Sequence, residues 1–286
     1  KTMAEASGRR SSVPMRPLPR ILPNTARIEA WPAWLLTARS NRDARIVSTA
    51  RWVLRRKRDG RYLAAESPQG WMALDPHWYR TSGMDMALDV VDAPMPHAGV
   101  RDPDPLPLHA LHERLEALGL DADEYGKRIG LPLVPEPQWL AHAGFDRYRR
   151  PLWLHPRAAR AWPRLRAAAL RDGIVLDAIS GYRSHDYQLG IFERKLARGL
   201  SVEEILTVNA APGFSEHHSG RALDIGTPGE PPAEESFERT AAFEWLREHA
   251  GGHGFVMSYP RDNPHGIVYE PWHWRYSETQ PVEVFA

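Results

Sequence analysis

The chain has 286 residues, 42% of them hydrophobic and 26% charged, with a net charge of +1 and no cysteine. That length buries a full core and admits either one large domain or a domain with an appendage, while the balanced charge offers no electrostatic footprint for a polyanion. The missing thiols exclude disulfides, thiolate nucleophiles and thiolate metal sites. No stretch reaches the ~18 apolar residues that a membrane span needs.

Residues 1–27 set Pro14, Pro17, Pro19 and Pro23 among Arg9, Arg10, Arg16 and Arg20 with few large apolar residues, which predicts a disordered tail. In residues 28–92 the short apolar runs Ile46-Val47, Trp52-Val53-Leu54, Tyr62-Leu63-Ala64 and Trp71-Met72-Ala73 are split by Asp59-Gly60 and Pro68-Gln69-Gly70. That alternation of short runs and turn signals predicts a small β-rich module. Arg51, Arg55, Arg56 and Arg58 lie within it; with so little net charge they read as a solvated strand and turn and not as a nucleic-acid contact. Residues 93–107 hold Pro94, Pro96, Pro103, Pro105 and Pro107, a composition that sustains neither helix nor central strand and predicts a linker. Residues 108–286 then form the second domain, and removal of the module is expected to spare its chemistry.

Within that domain helices are expected over 108–118 and 156–170, the latter on the 3.6-residue apolar spacing of Ala158, Trp162, Leu165 and Ala169 with Pro156 in its first turn. Gly173 ends the second helix, and the run 174–179 predicts a buried strand that delivers Arg183 at its exit. Helices follow over 185–197, over 202–208 behind the capping box Ser201-Val202-Glu203-Glu204, and over 240–250. With strands over 222–225, 255–258 and 272–276, the expected class is α+β with a small, mainly antiparallel sheet.

The densest chemistry lies in Ser215-Glu216-His217-His218-Ser219-Gly220-Arg221-Ala222-Leu223-Asp224 and in Glu270-Pro271-Trp272-His273-Trp274. Three N/O donors that leave one coordination position open are the pattern of catalytic zinc, whereas structural zinc is usually closed by four ligands, often cysteines. His217, Asp224 and His273 are the candidate ligands, with Glu270 placed to take a proton from water in the open position. Gly220 permits the turn between His217 and Asp224. Pro271 biases Glu270 toward a loop end while His273 enters a strand, and Trp272 and Trp274 read as core behind it. Arg183, permanently charged and planar, suits a carboxylate or a developing oxyanion. His218 is out of register with the ligand pattern, and His249, His253 and His265 read as solvated imidazoles.

These two motifs resemble those of the VanY-like D-alanyl-D-alanine carboxypeptidases of the LAS zinc metallopeptidase group, whose pattern reads Ser-x-His-x-x-Gly-x-Ala-x-Asp and then Glu-Pro-Trp-His. The likeness extends through Ser180-Gly181-Tyr182-Arg183-Ser184, Tyr187-Gln188, Gly254-Phe255 and Ser258-Tyr259-Pro260, over roughly residues 106–280. It implies a LAS-type (hedgehog/D-Ala-D-Ala peptidase-like) domain, one zinc ion, contact of Arg183 with substrate, and roles for Ser215, Gln188 and Tyr259 in holding peptide groups. The implied reaction is removal of a terminal D-amino acid from peptidoglycan stem peptides. An endopeptidase of the same fold, or a peptidoglycan-binding module without catalysis, are the rival readings. The substrate implies the periplasm or cell envelope; no leader pattern is visible, which leaves the cytoplasm open, although residue 1 is Lys and not Met, as expected where a signal peptide has been removed or left out.

Overall fold

A computed structural model describes residues 18–94, 101–206 and 210–278, which form eleven strands and eight α-helices. The strands make three antiparallel sheets. None of the helices is long and apolar enough to cross a membrane.

The N-terminal module is a four-stranded meander of β2 (Ile28–Pro32), β3 (Trp52–Arg56), β4 (Tyr62–Ser67) and β5 (Gly70–Ala73). Gly60 closes the β3–β4 turn at φ 69°, a left-handed conformation that costs glycine nothing. Ile46-Val47 departs from the strand expectation: it ends α1 (Asn41–Val47), which starts because the Ser40 side chain accepts from the Asp43 amide. Helix α2 (Met84–Asp92) covers the sheet, burying Met84, Ala87 and Val91 against Trp52, Leu54 and Leu63.

Two expectations about the chain outside this sheet are overturned. Residues 1–17 lie outside the described residues, but β1 (Ile21–Pro23) is no tail: it pairs with β6 (Trp139–Phe145), which pairs in turn with β7 (Pro151–Leu154). Ile21 and Leu22 are buried there, and these two side chains suffice to dock a strand whose proline sits at its end. The proline-rich stretch after the module is likewise no free linker from residue 101 onward. Leu106 is buried and its amide donates to the Glu136 carbonyl at 2.7 Å, Pro105 bridges to Pro137, and Asp102 pairs with Arg157 at 2.7 Å. Residues 95–100 lie outside the described residues.

The second domain is built on the sheet β10-β11-β9-β8, with β8 at Asp177–Ser180, β9 at Ala222–Gly226, β10 at Phe255–Met257 and β11 at His273–Tyr276. On one face Leu223 and Ile225 pack with Trp274 and Phe255 against α5 (Pro156–Arg171) and α8 (Ala241–His249), which bring Trp162, Leu165, Phe243 and Leu246. Fully burying each of these large side chains contributes about 1.5–3 kcal/mol. A second cluster, centred on Phe192, Phe214, Leu115 and Tyr125, joins α3 (His109–Ala117), α4 (Ala122–Ile129), α6 (His185–Leu196) and α7 (Val202–Leu206). The capping box is reciprocal: the Glu204 amide donates to Ser201 Oγ at 3.2 Å and the Ser201 amide to Glu204 Oε2 at 2.8 Å. The β6–β7 hairpin and α4 had no signal read in the sequence. The result is an α+β domain with a mainly antiparallel sheet, preceded by the β-rich module.

Candidate active site

Register builds the site. In the β9–β11 ladder Asp224 stands opposite His273, one residue on from the core pair Leu223 and Trp274, so strand alternation sends the polar pair to the face away from α5 and α8. His217 arrives from a short 3-10 turn, Glu216–Ser219, closed by Gly220 at φ 68°. A Cβ on Gly220 would meet the His155 amide at 2.8 Å and Leu140 Cδ2 at 2.5 Å, so both its conformation and its surroundings require glycine.

The donor atoms of His217, Asp224 and His273 lie within 4.8 Å of one another, and all three residues are buried. Asp224 Oδ1 is 3.1 Å from His217 Nε2 and 3.2 Å from His273 Nδ1. The far nitrogens are committed: His217 Nδ1 donates to the Gly181 carbonyl at 2.7 Å, and His273 Nε2 donates to Glu216 Oε2 at 2.9 Å. Each imidazole is therefore held with its other nitrogen turned to Asp224, the arrangement by which outer partners orient metal-binding histidines. Two imidazoles, one carboxylate and the absence of thiols form a donor set that fits zinc with a position left for water.

The charges are organised around the same carboxylate. Burial opposes ionisation of Asp224, but His217, His273 and Arg183 hold it well below the usual carboxylate range. Burial, with Arg183 nearby, lowers His217 to about 4 and keeps it neutral. His273 is raised to about 9: burial works against the charged ring, and hydrogen bonds to Asp224 and Glu216 outweigh it. Burial lifts Glu270 above the ordinary glutamate value.

Glu270 lies in the loop before β11, its Oε2 3.8 Å from His273 Nδ1, and it lines a cavity of about 450 Å³ together with Arg183, Gln188, Ser215, His217 and Tyr259. All eight residues singled out from the sequence therefore meet at or beside one opening. Arg183 sits 3.6 Å from Asp224 Oδ2, and its buried Nε has no hydrogen-bond partner among the described residues. Gln188 Nε2 donates to the Ala210 carbonyl at 3.1 Å while its buried Oε1 is unmatched. Tyr259 stacks its ring 4.8 Å from that of His273.

A family model described as VanY, D-alanyl-D-alanine carboxypeptidase, matches residues 151–279. The chain is 34% identical over 148 residues to the bifunctional D-Ala-D-Ala dipeptidase and D-Ala-D-Ala carboxypeptidase VanXYC of Enterococcus gallinarum, covering 49% of this chain and 75% of that protein. The chain belongs to the VanY family. It is also 34% identical over 166 residues to YodJ of Bacillus subtilis (strain 168), named for a carboxypeptidase, covering 55% of this chain and 60% of that relative's length. Among solved structures, a mutant of the vancomycin-resistance D,D-pentapeptidase VanY in complex with Zn(II) is 31% identical, with a TM-score of 0.37 over 43% of this chain and 72% of that one.

The VanY match includes all eight site residues but not the group that holds their loop in place. Glu136, buried ahead of β6, accepts from the amide of His185 at 2.8 Å, from the Tyr182 hydroxyl, from Lys57 Nζ of the module and from Asn24 Nδ2 at 3.3 Å. Burial opposes its charge, yet Lys57 and these donors bring it down to about 2. The segment from Tyr182 to His185, with Arg183 inside it, is thereby clamped from the N-terminal side. His218 completes the clamp: fully buried, it donates from Nδ1 to the Arg183 carbonyl at 2.7 Å and accepts from the Gly213 amide at 3.1 Å. The sequence offered no periodicity or spacing that links Lys57, Glu136 and Tyr182. For Glu216, adjacency to His217 was the only signal.

Proposed function

We propose that this chain is a zinc-dependent carboxypeptidase that removes a terminal D-amino acid from peptidoglycan stem peptides. The observation that carries this reading is the convergence of His217, His273, Glu270 and Arg183 on one cavity, with Asp224 gathered against both imidazoles. His217 Nε2, His273 Nδ1 and an Asp224 oxygen would hold the metal. When bound, zinc supplies an acidified water and a Lewis acid for the scissile carbonyl.

The side chains divide the remaining work. Glu270, lifted toward neutrality by burial, is suited to accept the water proton and return it to the departing amine. Arg183 lines the cavity, where its guanidinium would meet the negative charge that develops on the substrate. Gln188 Oε1, buried and unmatched, is an acceptor for a substrate amide, and Ser215 and Tyr259 close the same wall. Such a substrate is met in the cell envelope, which we infer as the site of action.

The test is incubation of the zinc-loaded protein with stem tetra- and pentapeptides and with cross-linked dimers, with products read by mass. Loss of one terminal D-alanine from a monomeric peptide is the expected result. Cleavage confined to the cross-link would make the protein an endopeptidase, and absence of any product would overturn the enzymatic reading.

A further inference from the structure

A second cavity, of about 340 Å³, opens where the module meets the second domain and reaches Arg183 and Asp224 from the module's side. Its far wall is Trp31 and Arg55, from strands β2 and β3. Its near wall is Arg150 and Tyr187. We propose that this cleft is the subsite for the acyl side of the substrate, and that Arg55 and Arg150 read a carboxylate carried there by the peptide chain. The proposal rests on the carboxypeptidase reading above and extends it to a part of the chain outside the family match.

Direction follows from Glu270. The group that hands a proton to the departing amine must adjoin it, and Glu270 lines the first cavity and not the second. The terminal residue therefore leaves through the first cavity. The chain on the other side of the scissile bond runs past Arg183, which among the described residues alone lines both cavities.

The cleft is built to hold its shape. Glu29 accepts from Arg55 at 3.0 Å and from Trp31 Nε1 at 2.8 Å, and the Arg55 guanidinium lies 5.3 Å from the centre of the Trp31 ring. Trp31 is backed edge-on by Trp153 at 5.4 Å. Arg150 spends Nε on Asp146 and one terminal nitrogen on the Ile179 carbonyl. Each guanidinium keeps donors beyond these bonds, because a guanidinium carries five, and planar forks of this kind suit a carboxylate. Trp31 and the half-exposed Tyr187 add faces along which a peptide chain can pack.

The experiment compares three substrates on the full zinc-loaded chain: an N-acetylated D-Ala-D-Ala dipeptide, an acidic stem pentapeptide, and that pentapeptide with its acyl-side carboxylates amidated. Wild type is expected to prefer the acidic pentapeptide to its amide in kcat/KM by about tenfold, the scale of one charge-assisted hydrogen bond. Arg55→Gln should erase most of that preference, and its loss on the pentapeptide should exceed its loss on the dipeptide by at least fivefold. Trp31→Leu should weaken both pentapeptides together more than the dipeptide. Equal losses on all three substrates would mean that the variants act only through the fold, and no preference in wild type would overturn the subsite. If wild type cleaves nothing, the reaction fails while the subsite is still judged, by titrating the acidic pentapeptide into wild type and Arg55→Gln. Binding that the variant weakens keeps the subsite, and equal or absent binding removes it.

Discussion

At the centre of the module sheet the cross-strand neighbours are Leu54 with Ala64 and Val53 with Ala65, apolar on both faces, whereas the second sheet pairs Leu223 with Trp274 on one face and Asp224 with His273 on the other. Both sheets are four-stranded and antiparallel, with buried residues in their central strands. The module sheet packs apolar clusters on both faces, while the second sheet commits part of one face to charged and polar groups held away from water. Such groups persist in a core only where hydrogen bonds and charges compensate them. Asp224 itself is compensated by His217, His273 and Ser180, and chemistry resides in the sheet that sacrifices packing. The seam between the sheets follows the same rule, with Glu136 buried and ringed by donors from both sides.

The contrast is broken most sharply by removing a donor. His217→Ala and His273→Ala are each expected to abolish stoichiometric zinc, read by metal analysis after dialysis, and with it all turnover; full zinc content with activity in either variant would sink the ligand assignment. Leu54→Ala in the module sheet, by comparison, should cost about 2–5 kcal/mol of stability while zinc content stays at that of wild type. Next in size is Glu270→Gln, which preserves shape but cannot accept a proton. Zinc should be retained and kcat should fall by about 10²–10⁴. Loss of zinc would recast Glu270 as a ligand, and a normal kcat would assign the proton transfer elsewhere.

Lys57→Met tests the seam. Lys57 has no exposed side-chain surface and pairs with Glu136, itself almost wholly buried. Breaking such a pair from one side strands a charge in the core and costs about 3–5 kcal/mol. Denaturant melts should show that loss, and Glu136→Gln added to Lys57→Met should recover part of it. An unchanged melt for Lys57→Met would mean that the seam carries no load. A fragment starting near residue 104 loses β1, Asn24 and Lys57 together, so it is expected to be unstable, contrary to what the proline-rich composition suggested.

What the sequence disclosed and what it concealed divide along the range of the interactions. Helix α5 declared itself through apolar spacing, α7 through its capping box and α8 through the glycines that close it, and the eight site residues through two short motifs and the segments around them. The docking of Ile21-Leu22 on β6 and the packing of Leu106 are pairings between segments far apart in the chain, where proline content dominated the local signal. Lys57, Glu136 and Tyr182 meet only after folding, and although Tyr182 lies in a motif segment, nothing local ties it to the other two. For α1, Ile46-Val47 fits a strand or a helix end equally, and the Ser40 cap decides between them.

The smallest expected effect separates the outer partner from the ligands. Glu216 accepts from His273 Nε2, which fixes the tautomer and makes the ring more basic. Glu216→Gln keeps an acceptor but removes the charge, so zinc affinity should fall by about 10–100-fold at high pH, the usual scale for an outer-shell partner. In the metal-free wild type His273 is raised to about 9, so below that pH zinc displaces one proton and affinity drops tenfold for each pH unit. The same shift sets the sign for stability. The contribution of the charged ring is fully present below the unfolded value near 6.5 and is lost as pH rises through about 9. Without Glu216 the ring titrates lower, so competition by protons begins at a lower pH and the variant's deficit in zinc affinity should shrink as pH falls from 9 toward 7. Zinc titrations of both proteins across that range, with melts of the metal-free forms, measure it. Two parallel affinity curves would show that Glu216 does not act through His273.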